Sequence, residues 1–343
     1  MIGRMLYLRQ NFARAIAATT ATLAIAGCSA EHRPMTTLAP KSDLAIWIRD
    51  LFIQVTLWDA LVLIIVVVAF FLAVFVFSSR VGEAAPATAP SSDLGLEIAW
   101  TLGPALILLM ITIPTVRTIF RSQPAVAPAA ALKIKVTAYQ WWWEFQYPDG
   151  LKTANELHIP NNWPIQLELQ SGDIIHSFWV PQLGGKRDVV PGQINQLTFI
   201  ANTVGEYPGQ CAEFCGLSHA NMRFRVFVDS AADFAAWDKA QLAGPASAPP
   251  TDHAAADGAK IFANSPCTTC HMVRGVSKGY VGPDLTHFGS RTTLAAGVLS
   301  NTPSNVAMWI ANPGDIKPGA NMPALLLPGP KMDALVAYLE SLK

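Results

Sequence analysis

The chain has no excess of charge and few cysteines. Its 343 residues include 24 basic and 24 acidic ones, so nothing in its net charge of zero points to a nucleic-acid partner. Only 14% of the residues are charged whereas 51% are hydrophobic, which fits a few membrane spans joined to soluble domains. All five cysteines fall within recognisable short motifs, so none is left over for a structural disulfide.

The first 27 residues are typical of a signal peptide. Three arginines precede a short apolar stretch that ends in a small-residue cleavage site before Cys28, and this order predicts export. The run Ile25-Ala-Gly-Cys28 resembles a bacterial lipobox, which implies cleavage before Cys28 and lipidation of its thiol. The alternative is a short N-terminal anchor helix with an incidental cysteine.

Two further apolar stretches, near residues 51–77 and 97–119, predict membrane spans, because about 20 apolar residues suffice to cross the bilayer. Pro104 and Pro114 do not exclude the second span, since transmembrane helices tolerate proline. We therefore predict a transmembrane hairpin over residues 28–131. If the N-terminus is exported, two spans return the chain to the outside, and the rest is extracytoplasmic.

Residues 132–242 predict an all-β domain. Short runs such as Ile165–Leu169 and Phe224–Val228 alternate in polarity or favour β-branched and aromatic residues. Gly, Pro and Asn turns separate them, a pattern typical of a sandwich. An Ala/Pro-rich linker at residues 243–256, semi-rigid and extended, then leads to a third domain at residues 257–343.

A short stretch near the end of the β domain concentrates soft metal ligands. They are Cys211, Cys215, His219 and Met222. Sulfur ligands combined with imidazole are preferred by copper over magnesium, calcium or manganese, and two nearby thiolates can bridge two metal ions. His176, in a strand-like run upstream, supplies an imidazole from the scaffold. A disulfide or a structural zinc site is the alternative, although zinc would leave Met222 without a role.

The third domain contains the motif Cys267-Thr-Thr-Cys270-His271. This spacing is the attachment signature of c-type haem, in which two thiols form thioethers and the adjacent histidine ligates the iron. A redox-active dithiol is the alternative for a bare C-x-x-C, but the following histidine and the exported location favour haem.

The second axial ligand must come from the opposite side of the haem ring. Met322 lies in a stiff Gly/Pro loop far downstream and is the predicted ligand. Met272 is too close to His271 to reach around the ring. Met308 and Met332 lie in helix-like segments, where core packing is their predicted role.

The pattern C-x-E-F-C-x3-H-x2-M, with G-D-x-x-H-S upstream, resembles the binuclear CuA centre of cytochrome c oxidase subunit II. The resemblance implies two coppers bridged by Cys211 and Cys215. One copper each would bind His176 and His219, with Met222 as a weak ligand. Glu213 would contribute its backbone carbonyl, and its side chain would be free to reach a magnesium ion at the boundary with subunit I.

Other segments resemble the same family. The resemblance implies a cupredoxin-type Greek-key barrel for the β domain, and residues 257–343 are similar to class I cytochrome c. Trp141, after Gln140, matches the position that accepts electrons from cytochrome c. Here Trp142 replaces the family's usual tyrosine, and Gln193 replaces a common arginine. A tryptophan cluster is otherwise typical of core or membrane-interface packing.

Glu97 begins the second apolar stretch, in Glu97-Ile-Ala-Trp-Thr101. An acid at a helix N-terminus usually compensates the helix dipole. The pattern E-x-x-W-T, however, resembles the second helix of subunit II, where the matching glutamate lies at the mouth of the proton path called the K channel. The resemblance thus implies a proton-path role for Glu97.

Taken together, the chain resembles a bacterial cytochrome c oxidase subunit II with a fused cytochrome c domain. This implies a multi-pass protein of the cytoplasmic (inner) membrane, with its copper and haem domains on the periplasmic side. The implied partners are subunit I, where dioxygen is reduced and protons are pumped, subunit III, and cytochrome c or another electron donor. The alternatives are a quinol-oxidising oxidase and, outside an oxidase, a membrane-anchored electron shuttle or copper-delivery protein. A nitrous oxide reductase is disfavoured because no β-propeller repeat is found.

Overall fold

The structure is a computed structural model in which four stretches of the chain are described. They are residues 33–76, 93–122, 128–245 and 253–343. The predicted signal peptide and Cys28 lie outside the described residues. The chain divides into two compact units, one of which is Ile46–Ala127 and the other the remainder of the chain.

Two long helices, α1 (Asp43–Phe75) and α2 (Leu94–Ser122), are long and apolar enough to cross a membrane. The side chains of both are largely exposed along the apolar stretches, as expected of helices whose solvent is lipid. The Asp93 carboxylate caps α2 by accepting hydrogen bonds from the backbone N–H groups of Gly95 (3.0 Å) and Leu96 (3.2 Å). Glu97 lies in the first turn of that helix.

The β domain consists of two five-stranded sheets. The first has the order β3-β2-β1-β5-β8, and its strands are β1 (Leu132–Tyr139), β2 (Trp142–Gln146), β3 (Lys152–Ala154), β5 (Pro164–Ser171) and β8 (Asn195–Ile200). The second has the order β4-β10-β9-β6-β7, and its strands are β4 (Glu156–Pro160), β6 (His176–Trp179), β7 (Arg187–Val189), β9 (Gly205–Cys211) and β10 (Arg223–Asp229). Buried and less buried residues alternate along β2, β9 and β10, because successive side chains point to opposite faces of a sheet.

Aromatic side chains fill the space between the sheets. The ring of Phe178 on β6 stacks on Phe224 of β10 with centroids 4.6 Å apart, and Trp143 of β2 lies 5.6 Å from Phe178 and 5.3 Å from Phe224. All three are almost fully buried. Burying such large rings is strongly favourable, typically by about 1.5–3 kcal/mol for a large apolar side chain, so they hold β6 firmly against its neighbours.

A helix that the sequence patterns did not predict, α3 (Ala231–Leu242), follows the last strand of the β domain. The Ser230 hydroxyl caps it by accepting a hydrogen bond from the Asp233 N–H. The Trp237 ring stacks on His158, with centroids 4.2 Å apart. No residue of this helix is buried, and the stacking fixes its position on the β domain.

The segment that precedes the first long helix is joined to the β domain. The Ser42 hydroxyl donates to the Leu183 carbonyl (2.6 Å), and the Asp43 carboxylate accepts from the Ile200 N–H (2.8 Å). Leu44 is buried. This segment therefore forms part of the β domain's structure although it lies far away in sequence.

The C-terminal domain is mostly helical. Its helices are α4 (His253–Ala263), α5 (Cys267–Cys270), α6 (Pro303–Ala311), α7 (Pro313–Ile316) and α8 (Gly329–Ser341). Four two-residue strands connect them, namely β11 (Met272–Val273), β12 (Ser277–Lys278), β13 (Thr293–Leu294) and β14 (Leu299–Ser300). Helices α4 and α8 cross at Gly258, where a Cβ atom would lie 1.9 Å from the Ala334 carbonyl oxygen. Only glycine permits this crossing.

Two methionines of this domain, both predicted to pack in its core, differ in burial. Met332 packs in the core with Phe262 and Leu335, as predicted. Met308 is 47% exposed on α6, so the prediction that it packs in the core is wrong. Two apolar N-terminal helices, a β-sheet domain of cupredoxin type and a helical C-terminal domain confirm the predicted fold class.

Candidate metal centre and haem site

The structure brings together the five side chains of the β domain that are predicted to bind copper. The sulfur atoms of Cys211 and Cys215 are 3.8 Å apart. The Nδ1 atom of His176 lies 3.8 Å from the Cys211 sulfur, and that of His219 lies 3.5 Å from the Cys215 sulfur. The Met222 sulfur is 3.8 Å from that of Cys215. Two thiols thus lie at the centre of the cluster, each with its own imidazole.

The scaffold explains this convergence. Strands β6 and β9 are antiparallel neighbours in which Phe178 is paired with Cys211, so His176 and Cys211 lie near the same end of the sheet. The loop after β9 returns through a short 3-10 turn at His219–Asn221. It closes where the Cys211 N–H donates to the Met222 carbonyl (2.9 Å). A rigid sheet therefore positions one imidazole while a closed loop supplies the other four ligands.

Asp173 fixes the His176 ring. Its carboxylate lies 2.8 Å from His176 Nε2 and accepts a hydrogen bond from the Gln140 N–H (2.6 Å). This contact leaves Nδ1 facing the Cys211 sulfur, and a carboxylate behind a histidine ligand typically orients the ring and raises its basicity. Asp173 is the aspartate of the G-D-x-x-H-S pattern.

The two thiols share their protons unequally. The hydrogen bond from Cys215 lowers the pKa of Cys211 to about 4, and the same interaction raises the pKa of Cys215 well above its ordinary value. Burial would lower the pKa of His176, but hydrogen bonds to Cys211 and Asp173 outweigh it, so the pKa is raised. One thiolate beside an imidazole is thus already favoured, and a thiolate is the form that binds a metal.

Backbone groups and a tryptophan surround the cluster. The Glu213 carbonyl oxygen lies 3.3 Å from the Cys211 sulfur, while the Glu213 side chain is exposed. The Trp141 indole N–H and the Gln140 side-chain amide both donate to the Cys215 carbonyl, at 2.8 and 2.9 Å. Trp141 is therefore connected to the backbone of a copper-ligand candidate by one direct hydrogen bond.

The donor set fits copper. Two thiols, two imidazoles and a thioether are soft or intermediate ligands, and the structural zinc alternative would leave the fully buried Met222 sulfur without a role. His176, Cys211 and Cys215 can place their ligand atoms within 4.8 Å of one another, and all three are buried. Such burial restricts access of water and would favour a stable centre.

The haem motif is also arranged for its expected cofactor. Cys267 and Cys270 lie on the short helix α5 and are partly exposed. The Nδ1 atom of His271 lies 2.8 Å from the Pro283 carbonyl oxygen, which leaves Nε2 free for iron. A Cβ atom at Gly282 would lie 2.6 Å from the His271 ring, so glycine is required there for the ring to keep its position.

Burial lowers the pKa of His271, which favours the neutral imidazole that a metal requires. Met322 packs against the edge of the haem-domain core. Its assignment as the second axial ligand stays a prediction, as do the individual assignments of the copper ligands.

Trp142 and Gln193 are the two residues that differ from the family's usual pattern. Trp142 stacks on Tyr139 with centroids 4.9 Å apart, so the ring that replaces the family's tyrosine has a packing role. Gln193 is exposed. The roles predicted for Glu97 and for Cys28 stay predictions.

Comparisons with known proteins cover all three parts of the chain. The family model described as the transmembrane domain of cytochrome c oxidase subunit II matches residues 42–118. The one for its periplasmic domain matches residues 150–229, and the cytochrome c family matches residues 255–343.

Two curated relatives and one solved structure are similar to this chain. Cytochrome c oxidase subunit 2 of Alkalihalophilus pseudofirmus is 36% identical over 329 residues, which cover 94% of each chain. That of Bacillus subtilis is 34% identical over 342 residues, covering 94% of this chain and 95% of the relative. The crystal structure of the periplasmic domain of subunit II from Bradyrhizobium japonicum is 32% identical, with a TM-score of 0.33, and covers 34% of this chain and 98% of that one.

The near full-length relatives support an oxidase subunit over a free-standing shuttle or copper-delivery protein. The matched copper and cytochrome c domains imply copper and c-type haem as cofactors and subunit I as a partner, and the two spans make this a membrane protein. With membrane, copper and haem domains matched in one chain, the protein belongs to the cytochrome c oxidase subunit II family.

Proposed function

We propose that this subunit accepts electrons from cytochrome c or another donor protein at its own haem c and delivers them through a binuclear copper centre to subunit I. The observation that carries the proposal is the cluster of two thiols, two imidazoles and a thioether at sulfur-to-ligand distances of 3.5–3.8 Å. When bound, the copper and the haem would each supply reversible one-electron transfer. The protein's own contribution is to hold and orient their ligands.

In the copper domain, Cys211 and Cys215 are proposed to bridge two coppers, which His176 and His219 bind separately. Met222 and the Glu213 carbonyl would be the weaker ligands. Support comes from the placement of each imidazole beside a different thiol. The ready loss of the Cys211 proton supports it as well, because its pKa lies at about 4.

In the haem domain, Cys267 and Cys270 are proposed to form the thioethers and His271 and Met322 to be the axial ligands. The hydrogen bond from the His271 ring to the Pro283 carbonyl supports this, since it selects the tautomer that leaves Nε2 available. Thioether ligation by Met322 would raise the reduction potential relative to two histidines.

Three further roles are proposed. Trp141 would conduct electrons toward the copper centre, because its indole donates directly to the Cys215 carbonyl. Glu213 would bind magnesium at the boundary with subunit I, because its side chain is exposed beside the exposed Phe214 ring. Glu97 would act in proton uptake from its position in the first turn of α2.

The location is proposed from the same features. Two helices that could span a bilayer, preceded by a predicted export signal, would place the copper and haem domains on the periplasmic side of a bacterial inner membrane. Lipidation of Cys28 would add a second anchor. Subunit III is proposed as a further partner.

The test of the proposal is His219→Ala in the complete oxidase, with His253→Ala as a matched control on the exposed start of α4. We expect His219→Ala to leave reduction of haem c intact and to nearly abolish oxygen consumption, because one copper loses its imidazole. Electron paramagnetic resonance should lose the signature of one unpaired electron shared by two coppers.

Normal respiration by the His219→Ala oxidase would contradict the proposed route. A mononuclear copper spectrum in the unmodified protein would contradict the bridging roles of Cys211 and Cys215, and zinc in place of copper would do the same. The His253→Ala protein should match the unmodified oxidase in each measurement.

A further inference from the structure

The haem domain (residues 257–343) contacts the copper domain (residues 132–242) at several places, among them the end of α3, where the Arg274 side chain donates to the Leu242 carbonyl (2.6 Å). Two other groups of contacts each involve a buried charged residue. The first involves the loop at residues 316–319, which precedes Met322. The Lys317 amine donates to the Trp141 carbonyl, and the Ser218 hydroxyl donates to the Pro318 carbonyl (2.8 Å). Ser218 adjoins the copper-ligand candidate His219. The loop that carries the proposed haem ligand thus touches the loop that carries the proposed copper ligands.

The second group of contacts centres on Glu156 of β4. One of its carboxylate oxygens accepts hydrogen bonds from the backbone N–H groups of Thr292 (2.9 Å) and Thr293 (3.0 Å). The same oxygen accepts from the two threonine hydroxyls, at 2.6 and 3.2 Å. Glu156 is only 6% exposed. Nearby, the Arg223 N–H donates to the Ala296 carbonyl (3.0 Å), so backbone contacts extend the same interface.

Glu156 and Lys317 are both buried, and a buried charge costs free energy unless it has hydrogen-bond or charged partners. Lys317 is 4% exposed, and burial lowers the pKa of its ammonium group to about 7. Among the described residues, the side-chain amine of Lys317 donates to the copper domain and not to its own domain. Glu156 likewise directs its oxygen to backbone donors of the haem domain. Separation of the domains would leave these groups without the partners that compensate their burial.

The close fit extends to Trp141. Gly319 has a φ of +85°, and a Cβ atom at this position would lie 2.7 Å from the Trp141 ring and 3.3 Å from Leu217. Glycine is therefore required both for the backbone conformation and for the approach of the loop. With the haem domain in this position, Trp141 is only 8% exposed.

We propose that Glu156 and Lys317 are positioning residues that hold the haem domain over Trp141, so that this face meets the tethered haem domain and is closed to freely diffusing donor proteins. The proposal rests on the proposed function, since it names the partner of Trp141. Donor proteins would then bind to the haem domain and would have no access to Trp141 of the copper domain. The linker keeps the domain nearby, which raises its local concentration, and the contacts of Glu156 and Lys317 contribute to its orientation.

The test is hydroxyl-radical labelling of the complete oxidase with Glu156→Ala, Glu156→Gln and Lys317→Met. In each variant, labelling is measured at the group of contacts that the substitution leaves unaltered. Glu156→Ala removes the acceptor of four hydrogen bonds, so we expect labelling of Trp141 to rise by on the order of tenfold. Glu156→Gln keeps an acceptor oxygen and should restore most of the protection. Glu168→Ala, at a partly exposed glutamate of β5, is the matched control and should leave labelling unchanged.

Lys317→Met should raise labelling at the partly buried Thr293, but by less than Glu156→Ala raises it at Trp141. The loss of the hydrogen bond is partly offset, because a buried amine is replaced by an apolar chain of similar length. Lys331→Met, on an exposed residue of α8, is its matched control. Unchanged labelling at Thr293 would remove Lys317 from the proposal.

Copper and haem spectra are recorded on the same samples. Transfer of electrons from haem c to copper, followed after flash reduction, should slow in Glu156→Ala while both spectra stay unchanged. If the spectra are intact and Trp141 labelling is unaffected, the positioning role is wrong and the proposed function stands. If the unmodified protein lacks the binuclear copper or the covalent haem, the proposed function fails, whatever the labelling shows.

Discussion

The copper and haem sites each contain a histidine held by a hydrogen bond, but the two rings present opposite nitrogens. His176 uses Nε2 to bind the Asp173 carboxylate and turns Nδ1 to the Cys211 sulfur. His271 uses Nδ1 to bind the Pro283 carbonyl and leaves Nε2 free. The group that binds one nitrogen of an imidazole therefore decides which nitrogen faces the cofactor.

The same partners set opposite proton affinities. Burial alone would lower the pKa of both rings, and it does so for His271, where the carbonyl opposes it only in part. For His176 the contacts with Cys211 and the Asp173 carboxylate outweigh burial and raise the pKa. A metal must therefore displace a more tightly held proton at the copper site than at the haem site.

The largest expected effect separates the two sites completely. Replacing both Cys267 and Cys270 by serine removes the thioether bonds, so covalent haem should be lost from the chain. Copper content and the copper spectrum should be unchanged, because the copper ligands lie in a different domain. Haem stain after denaturing electrophoresis and metal analysis measure the two outcomes. Haem that stays attached in the double variant would contradict the attachment roles.

A smaller effect is expected behind the copper-site histidine. Asp173→Ala removes the carboxylate that orients His176, and loss of such a partner typically weakens metal binding by about 10- to 100-fold. Competition with a copper chelator measures this. The control is Asp188→Ala, because Asp188 is exposed on β7. Equal copper affinity in the two variants would mean that the carboxylate does not support the ring.

The smallest effect concerns pH. The pKa of Cys215 is raised, so its proton is still bound near neutrality and copper must displace it. Apparent copper affinity should therefore rise with pH by about tenfold per unit for each proton released. Haem content should not vary over the same range, because thioethers do not titrate. Copper affinity that is flat with pH would show that Cys215 is already deprotonated.

Much of the site could be predicted because its chemistry is local in sequence. Cys211, Cys215, His219 and Met222 lie within twelve residues, and His271 directly follows the single helical turn Cys267–Cys270, so spacing alone brings these residues together. His176 required only the additional inference that a β-scaffold supplies an outside ligand. The three-part fold followed in the same way from apolar runs and alternation.

The interface between domains could not be predicted, because it depends on contacts between distant residues. Glu156 and Thr292 are 136 positions apart, and Lys317 is 176 positions from Trp141. The only signal for Glu156 was a charged residue at the start of an apolar run, and Lys317 had no signal beyond its proximity to Met322. The prediction for Met308 was wrong because a position in a helix does not reveal which face of the helix is buried.

The attachment of the N-terminal segment has a consequence for the timing of biosynthesis. Asp43 accepts its hydrogen bond from Ile200, 157 residues later. At a synthesis rate of about 5–20 residues per second, the partner emerges roughly 8–30 s after the acceptor. During this interval Ser42 and Asp43 have left the ribosome before the strands that receive them exist. The segment that leads into the first membrane helix is therefore made first, and it can join the β domain only after the later strands have been synthesised.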